Sequence, residues 1–153
     1  MRLQPKTYNL KPAFTLGEIL AVVAVMAVIV TIAAPSFNYL KARYTLTGAA
    51  SVLAADLRYT QQRSVTEQKP YELRLVPATR SYTIVRLGSP EVVDKSVTLD
   101  SAITISSPTG LIENKVSFNS TGAPSSNGDI VLNHSSGYIT TVSVRPSGFV
   151  TVQ

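Results

Sequence analysis

The first third of the chain changes from polar to almost uniformly apolar and then to a mixture of apolar and charged positions. Residues 1–13 are polar and basic and are broken by Pro5 and Pro12, so they predict no packed element. Residues 14–34 are apolar apart from short interruptions at Gly17 and Glu18. A helix of this length spans about 31 Å, close to the hydrocarbon thickness of a bilayer. The pattern therefore predicts a membrane-spanning helix over residues 14–34.

A second helical pattern follows, over residues 35–68. Its larger apolar residues recur at spacings near three and four, and they are Phe37, Leu40, Tyr44, Val52, Leu53 and Leu57. Charged residues lie between them, which is typical of an amphipathic helix. The spacing predicts a helix over about residues 36–67 that continues the first one, with a kink at Pro35.

The remainder of the chain, residues 69–153, alternates short β-branched runs with turn-forming clusters. The runs predict strands at 71–76, 80–87, 92–98, 102–106, 114–119, 129–133, 138–144 and 148–152. Many short strands with this punctuation indicate an antiparallel β domain. The predicted fold class is α+β, with a long N-terminal helix whose amphipathic half packs on that domain.

Charge and composition limit the kinds of protein that this chain could be. The formal net charge is +5, but three basic residues lie in the first thirteen, where there is no acid. Positive charge before an apolar helix predicts a cytoplasmic N-terminus and an exported C-terminal part. The chain contains no cysteine, which excludes disulfides and thiolate metal sites.

No pattern in the sequence predicts catalysis, a cofactor or a metal. The single histidine, His134, lies in a turn-like segment without a neighbouring carboxylate, so it predicts a surface loop residue. The sequence has no nucleophile elbow, glycine-rich dinucleotide motif or phosphate loop. The acidic residues are scattered along the chain, and we expect them to lie on solvent-exposed faces. These absences favour a non-enzymatic protein.

Glu18 is the least expected residue of the apolar segment. A lone charge in such a helix costs on the order of 2.5–3.5 kcal/mol on insertion scales. No Lys, Arg or His lies between residues 14 and 34 to pair with it. A cut before Phe14 would create an α-amino group, and in an assembly a neighbour's amino group could pair with the Glu18 carboxylate.

The segment AlaPheThrLeuGlyGluIleLeu at residues 13–20 resembles the class III signal of type IV prepilins and type II secretion pseudopilins. The resemblance implies that a prepilin peptidase cuts between Ala13 and Phe14, removes residues 1–13 as a leader and N-methylates Phe14. It implies that Glu18 offsets a neighbouring subunit's N-terminal charge, and Pro35 lies where pilin helices commonly carry proline. Ala13 stands where the family prefers Gly, and Gly17 replaces the usual aliphatic residue.

A second resemblance concerns the C-terminal half. Phe118 followed by Gly122, then a strand at residues 130–132, then residues 142–152 with Gly148, is similar to minor subunits of the GspH/FimT type. The resemblance implies a minor pseudopilin of a type II secretion system, anchored in the bacterial inner membrane before it joins a filament. Its implied partners are the prepilin peptidase and other pilins or pseudopilins, through the N-terminal helix. A minor pilin of a type IV pilus or DNA-uptake filament is the alternative.

Other interpretations of the sequence are less favoured. Residues 14–34 could form an ordinary signal anchor, but that leaves Glu18 and the short leader unexplained. A cleaved secretory signal lacks a small-residue site before a separate mature domain. Five arginines could form a basic patch that contacts DNA, although nearby acids dilute its charge. They are Arg58, Arg63, Arg74, Arg80 and Arg86.

Overall fold

The computed structural model describes residues 13–106 and 108–153, apart from the side chains of residues 33–36 and 38. Of the predicted leader, only Ala13 lies among the described residues. The chain divides into two compact units, one ending at Tyr39 and one spanning Leu40–Gln153. One helix, α1 (Leu16–Glu67), begins in the first unit and ends in the second.

The apolar side chains that the structure describes in the first unit are exposed. Those of Ile19, Val23, Ile29 and Ile32 are 51%, 59%, 59% and 70% exposed. In the part of the chain that the structure describes, no helix meets the combined length and hydropathy needed to cross a membrane, so the membrane-spanning helix predicted over residues 14–34 is not confirmed. The backbone is helical at Pro35, but its side chain is outside the described residues, and the predicted kink stays a prediction.

The second unit contains two antiparallel four-stranded sheets. The strands are β1 (Tyr71–Val76), β2 (Ser81–Arg86), β3 (Val92–Thr98), β4 (Ile103–Ile105), β5 (Lys115–Phe118), β6 (Gly128–His134), β7 (Ile139–Val144) and β8 (Val150–Val152). Their orders are β3-β2-β1-β5 and β4-β6-β7-β8, and a short 3₁₀ helix, Pro77–Thr79, joins β1 to β2. The predicted α+β fold is confirmed, and each strand lies at its predicted place.

The core lies between α1 and the inner faces of both sheets. Alternate residues of the strands point inward, among them Leu73, Ile84, Ile130 and Val142, which are fully buried. They pack in one cluster with the helix side chains Leu46, Leu53 and Leu57 and with Phe118. This cluster supplies the apolar burial that holds helix and sheets together without disulfides.

The buried face of α1 differs from the predicted one. Four of the large apolar residues predicted on the buried face are exposed. They are Phe37 (76%), Leu40 (47%), Tyr44 (74%) and Val52 (48%). The buried apolar residues of the described part of α1 recur with helical spacing and are Ala42, Leu46, Ala50, Leu53, Ala54 and Leu57. The prediction followed the large apolar residues and missed the alanines. Small side chains on this face let the sheets approach the helix closely.

A polar contact is built into the helix–sheet interface. Asp56 on α1 is 5% exposed and accepts two hydrogen bonds from Lys95 Nζ on β3, at 2.6 and 2.8 Å. It accepts a third from the Tyr82 hydroxyl on β2, at 2.7 Å. Burial and the hydrogen bond to Asp56 raise the pKa of the Tyr82 phenol, so the hydroxyl stays protonated and donates. These bonds attach both β2 and the edge strand β3 to the helix.

Replacing Asp56 with Ala is expected to lower the free energy of unfolding by about 1–3 kcal/mol, because the buried Tyr82 hydroxyl loses its acceptor. Lys95 is 43% exposed and can turn to water, which limits the loss. Urea unfolding of the full chain in detergent measures the difference. Asp129→Ala is the matched control, since that carboxylate is exposed. Equal stability of the two variants would contradict the role of this contact.

Candidate functional site

The N-terminal site starts with two exposed, non-helical residues, Ala13 and Phe14, the latter 78% exposed. The helix begins at Leu16, and Thr15 caps it. The Thr15 hydroxyl accepts a hydrogen bond from the Glu18 backbone N–H at 3.2 Å, and the Thr15 carbonyl accepts bonds from Glu18 and Ile19. This cap satisfies amide groups that the first helical turn otherwise leaves without an acceptor.

Glu18 therefore lies in the first turn of α1, with an exposed side chain. A carboxylate near a helix N-terminus is favourable by about 0.3–1 kcal/mol, because the helix dipole is positive there. This offsets part of the cost that the apolar surroundings predict. The sequence signal that could have shown it is Thr15 followed three residues later by Glu18, the spacing of a capping box. Within the described residues, Glu18 forms no ion pair, and its carboxylate is open to a partner.

The five arginines proposed to contact DNA do not form one patch of free cations. Arg63 and Arg86 both pair with Glu67, at 2.7 and 3.6 Å. Arg74 pairs with Glu91 at 2.9 Å and is 40% exposed. The remaining two, Arg58 and Arg80, lie on α1 and after the 3₁₀ helix. Three of the five arginines thus form ion pairs with carboxylates, which weakens their attraction to phosphate. The DNA role stays a prediction.

Glu72 corrects the expectation that the acids lie on solvated faces. It is 3% exposed, and its carboxylate accepts hydrogen bonds from Arg74 Nε and, at 2.7 Å, from the Ser117 hydroxyl. Arg74 also donates two bonds to Glu91, at 2.9 and 3.0 Å. These bonds lower the pKa of Glu91 and raise that of Arg74, so both stay charged. Arg74 therefore neutralises Glu72 on β1 and Glu91, which immediately precedes β3.

A second polar cluster lies at the C-terminal end of α1. Arg63 pairs with Glu67 and with Asp94 of β3, and its guanidinium lies 5.7 Å from the centre of the Tyr71 ring. The Tyr71 hydroxyl donates to Glu67 at 2.7 Å. That bond is the main cause that lowers the pKa of Glu67, with Arg63 and Arg86 adding to it. The cluster fixes the helix end against β1 and β3 rather than offering a free site.

Two glycines of the C-terminal motif meet the helix at one residue, Gln61. Gln61 Nε2 donates to the Gly122 carbonyl at 2.8 Å. A Cβ on Gly148 would lie 2.3 Å from the same Gln61 nitrogen, and a Cβ on Gly122 would lie 2.8 Å from Val65 Cγ2. Both glycines have positive φ, +81° and +80°. The motif therefore needs glycine for close approach to α1 and for a left-handed backbone.

This contact joins residues that are distant in sequence, and only its two glycines could be identified from the sequence. The spacing of Phe118, Gly122 and Gly148 marked the motif, while Gln61 stood unremarked in the amphipathic helix. Phe118 is fully buried, and the side-chain oxygen of Asn119 accepts three hydrogen bonds, from Thr121 and Ala123, that shape the turn at residues 119–123. A profile of the GspH family, described as type II transport protein GspH, matches residues 49–148 and so includes Gln61 and both glycines. The chain belongs to the GspH family.

Solved structures of two proteins share the fold of this GspH-family chain. One is the type IV minor pilin FimU from Pseudomonas aeruginosa, with a TM-score of 0.61 and 15% identity over 72% of this chain and 90% of that one. The other is the minor pseudopilin EpsH from the type 2 secretion system of Vibrio cholerae, with a TM-score of 0.61 and 13% identity over 71% and 95%. No curated protein matches the sequence at a significant level. The matched proteins are structural pilin subunits and not enzymes.

Proposed function

We propose that this chain is a minor pseudopilin, a structural subunit of the pseudopilus of a type II secretion system. The observation that carries the proposal is the family match over residues 49–148, the part of the chain that contains the glycine contact. The fold shared with EpsH supports it. Because FimU shares the fold with the same TM-score, a minor pilin of a type IV pilus or DNA-uptake filament is the second candidate.

In the proposed mechanism the precursor is held in the inner membrane by residues 14–34, with its N-terminus in the cytoplasm. The basic leader and the exposed apolar side chains of residues 19–32 support this placement. The prepilin peptidase removes residues 1–13 and N-methylates Phe14. The site is exposed and non-helical at Ala13 and Phe14, as an extended substrate for a peptidase requires.

Assembly then moves the apolar helix from lipid to the filament core, where it packs beside the helices of other subunits. The Glu18 carboxylate pairs with the N-terminal amino group of a neighbour, so that neither charge is left alone where water is scarce. Its exposure in the first turn of α1 supports this role, since the carboxylate is not engaged within its own described chain. The β domain faces outward and makes the specific contacts.

Deletion of the gene distinguishes the two candidates. For a pseudopilin, secretion of exported enzymes into the medium falls, while piliation and DNA uptake remain normal. For a pilin, the opposite pattern results. Complementation with the full chain restores the lost process, and the Glu18→Ala variant serves as the assembly-defective control. A strain that secretes, piliates and takes up DNA normally would refute both candidates.

A further inference from the structure

A small polar cleft lies between α1 and the place where β7 begins. Its volume is about 110 Å³, enough for several water molecules. One turn of the helix and three consecutive residues at the start of β7 line it, and they are Arg43, Leu46, Thr47, Tyr138, Ile139 and Thr140. The fold thus brings together a guanidinium group, two aliphatic hydroxyls and a phenol, all of which donate hydrogen bonds. Such a set of donors suits the oxygens of an anion.

The charge around the cleft also favours an anion. Between Ile19 and Ala55 the sequence contains two charged residues, Lys41 and Arg43, and both are basic and exposed. None of the residues that line this cleft is an acid. A negatively charged group that enters the cleft therefore meets a cation of α1 without displacing a carboxylate from the lining.

The cleft follows closely on the apolar segment of the sequence. Nine residues separate Arg43 from Ala34, which in a helix is about 14 Å. Phe37, Tyr39 and Tyr44 lie in or beside this interval and are 76%, 50% and 74% exposed. Aromatic residues and cations at the end of an apolar helix are typical of the interface between membrane and water. A helical side chain also leans toward the N-terminus, which for Arg43 is the direction of the apolar segment.

We propose that this cleft binds the phosphate of an anionic phospholipid headgroup, with Arg43 pairing with the phosphate and the hydroxyls of Thr47 and Thr140 donating to its oxygens. The inference rests on the proposed function, in which residues 14–34 hold the precursor in the membrane. Ile139 lines the cleft and is 66% exposed, so an apolar side chain adjoins the donors. That combination suits an amphiphile better than a free phosphate ion. Binding of the headgroup keeps the subunit at the membrane before assembly.

Native mass spectrometry of the full chain tests the proposal, after incubation in detergent with equal amounts of phosphatidylglycerol and phosphatidylcholine. Both lipids carry a phosphate, but only phosphatidylglycerol has a net negative charge. We expect its adducts to exceed those of phosphatidylcholine about fivefold, the effect of one cation near an anionic headgroup. Arg43→Glu should abolish this preference. Arg80→Glu is the matched control and should leave it unchanged, since Arg80 is an exposed arginine outside the cleft.

A second pair of variants tests the hydroxyl groups of the cleft. Thr47→Val removes one hydrogen-bond donor and keeps the shape of the side chain, so it should lower the yield of the phosphatidylglycerol adduct about threefold. Thr104→Val makes the same change at an exposed position on β4, outside the cleft, and should leave the yield unchanged. Equal yields from the two variants would contradict a hydrogen bond from Thr47 to the headgroup.

The remaining outcomes overturn the proposal in distinct ways. No adduct, no preference between the lipids, or a preference that Arg43→Glu leaves intact would each refute the headgroup site. Inorganic phosphate that binds the lipid-free chain with the same dependence on Arg43 would identify a site for free anions instead. Fractionation of native cells is measured in parallel. If the chain is found in membranes without a lipid preference, the inference fails and the proposed function stands; if it is absent from membranes and filaments, both fail.

Discussion

The Glu18→Ala variant is expected to be cut and folded like the wild type but to enter filaments at least about tenfold less, because a neighbour's amino group is left unpaired in a dry core. The Glu18 side chain forms no ion pair within the described residues, so the stability of the second unit should not change. The Thr15 cap uses the Glu18 backbone N–H, which alanine retains. Quantitative immunoblotting of sheared filaments against membrane fractions measures incorporation.

Two variants make this experiment specific. Glu18→Gln keeps the shape and the capacity to accept hydrogen bonds but removes the charge, so it should assemble nearly as poorly as Glu18→Ala. Glu113→Ala removes a carboxylate that is 73% exposed on the β domain, and it should assemble normally. Normal incorporation of Glu18→Ala would refute the charge-pairing role.

The second large effect concerns the glycine contact. Gly148→Ala is expected to lower the free energy of unfolding by about 1.5–2.5 kcal/mol, since it adds backbone strain at positive φ and displaces the end of the Gln61 side chain. The added Cβ would lie 2.3 Å from Gln61 Nε2, and moving that side chain breaks its hydrogen bond to the Gly122 carbonyl. Chemical unfolding of the full chain in detergent measures the change.

Gly137→Ala separates strain from crowding. Gly137 also has positive φ, +87°, but a Cβ there meets nothing within 4 Å. Gly137→Ala should therefore lower the free energy of unfolding only through backbone strain, by about 1 kcal/mol, the low end of the range for such strain. If Gly148→Ala were no more destabilising than Gly137→Ala, the close approach to α1 would not contribute to stability.

Most of the fold could be predicted from local pattern. Each of the eight strands occupies a predicted run, and α1 ends at Glu67, the residue predicted. The strands could be predicted because β-branched runs that lie between clusters of Gly, Pro, Ser and Asn favour strands over other secondary structure. The predicted start of the helix at residue 14 missed the Thr15 cap, which a search for Thr and Glu at capping-box spacing would have found.

The interior contacts could not be predicted, because they join residues far apart in sequence. Asp56 looked like part of a polar face, and only the pairing of β3 with β2 brings Lys95 onto it. Gln61 meets a carbonyl 61 residues away, and Arg58 meets one 92 residues away. Alternation shows which strand residues face inward, but not which polar group they will meet across the interface.

The candidate site residues also fall into two groups, those that a local motif indicates and those whose surroundings depend on tertiary contacts. Phe14 and Glu18 were proposed as site residues from a short motif with fixed spacing, which needs no tertiary information, and their roles stay predictions. The basic patch was inferred from arginines counted along the chain, and the structure distributes them among acids such as Glu67 and Glu91. Counting charges along the chain does not show which of them become neighbours, because strand pairing decides that, and the DNA contact stays a prediction.

The intact mass of the protein extracted from its native membranes tests directly whether the precursor is processed. We expect a chain that begins at N-methylated Phe14 and lacks residues 1–13. Ala13→Gly should raise the processed fraction if alanine slows the cut, whereas a large charged residue at position 13 should block it. A mass that retains residues 1–13 in cells containing the prepilin peptidase would contradict the assignment of this chain as a processed pilin-type subunit.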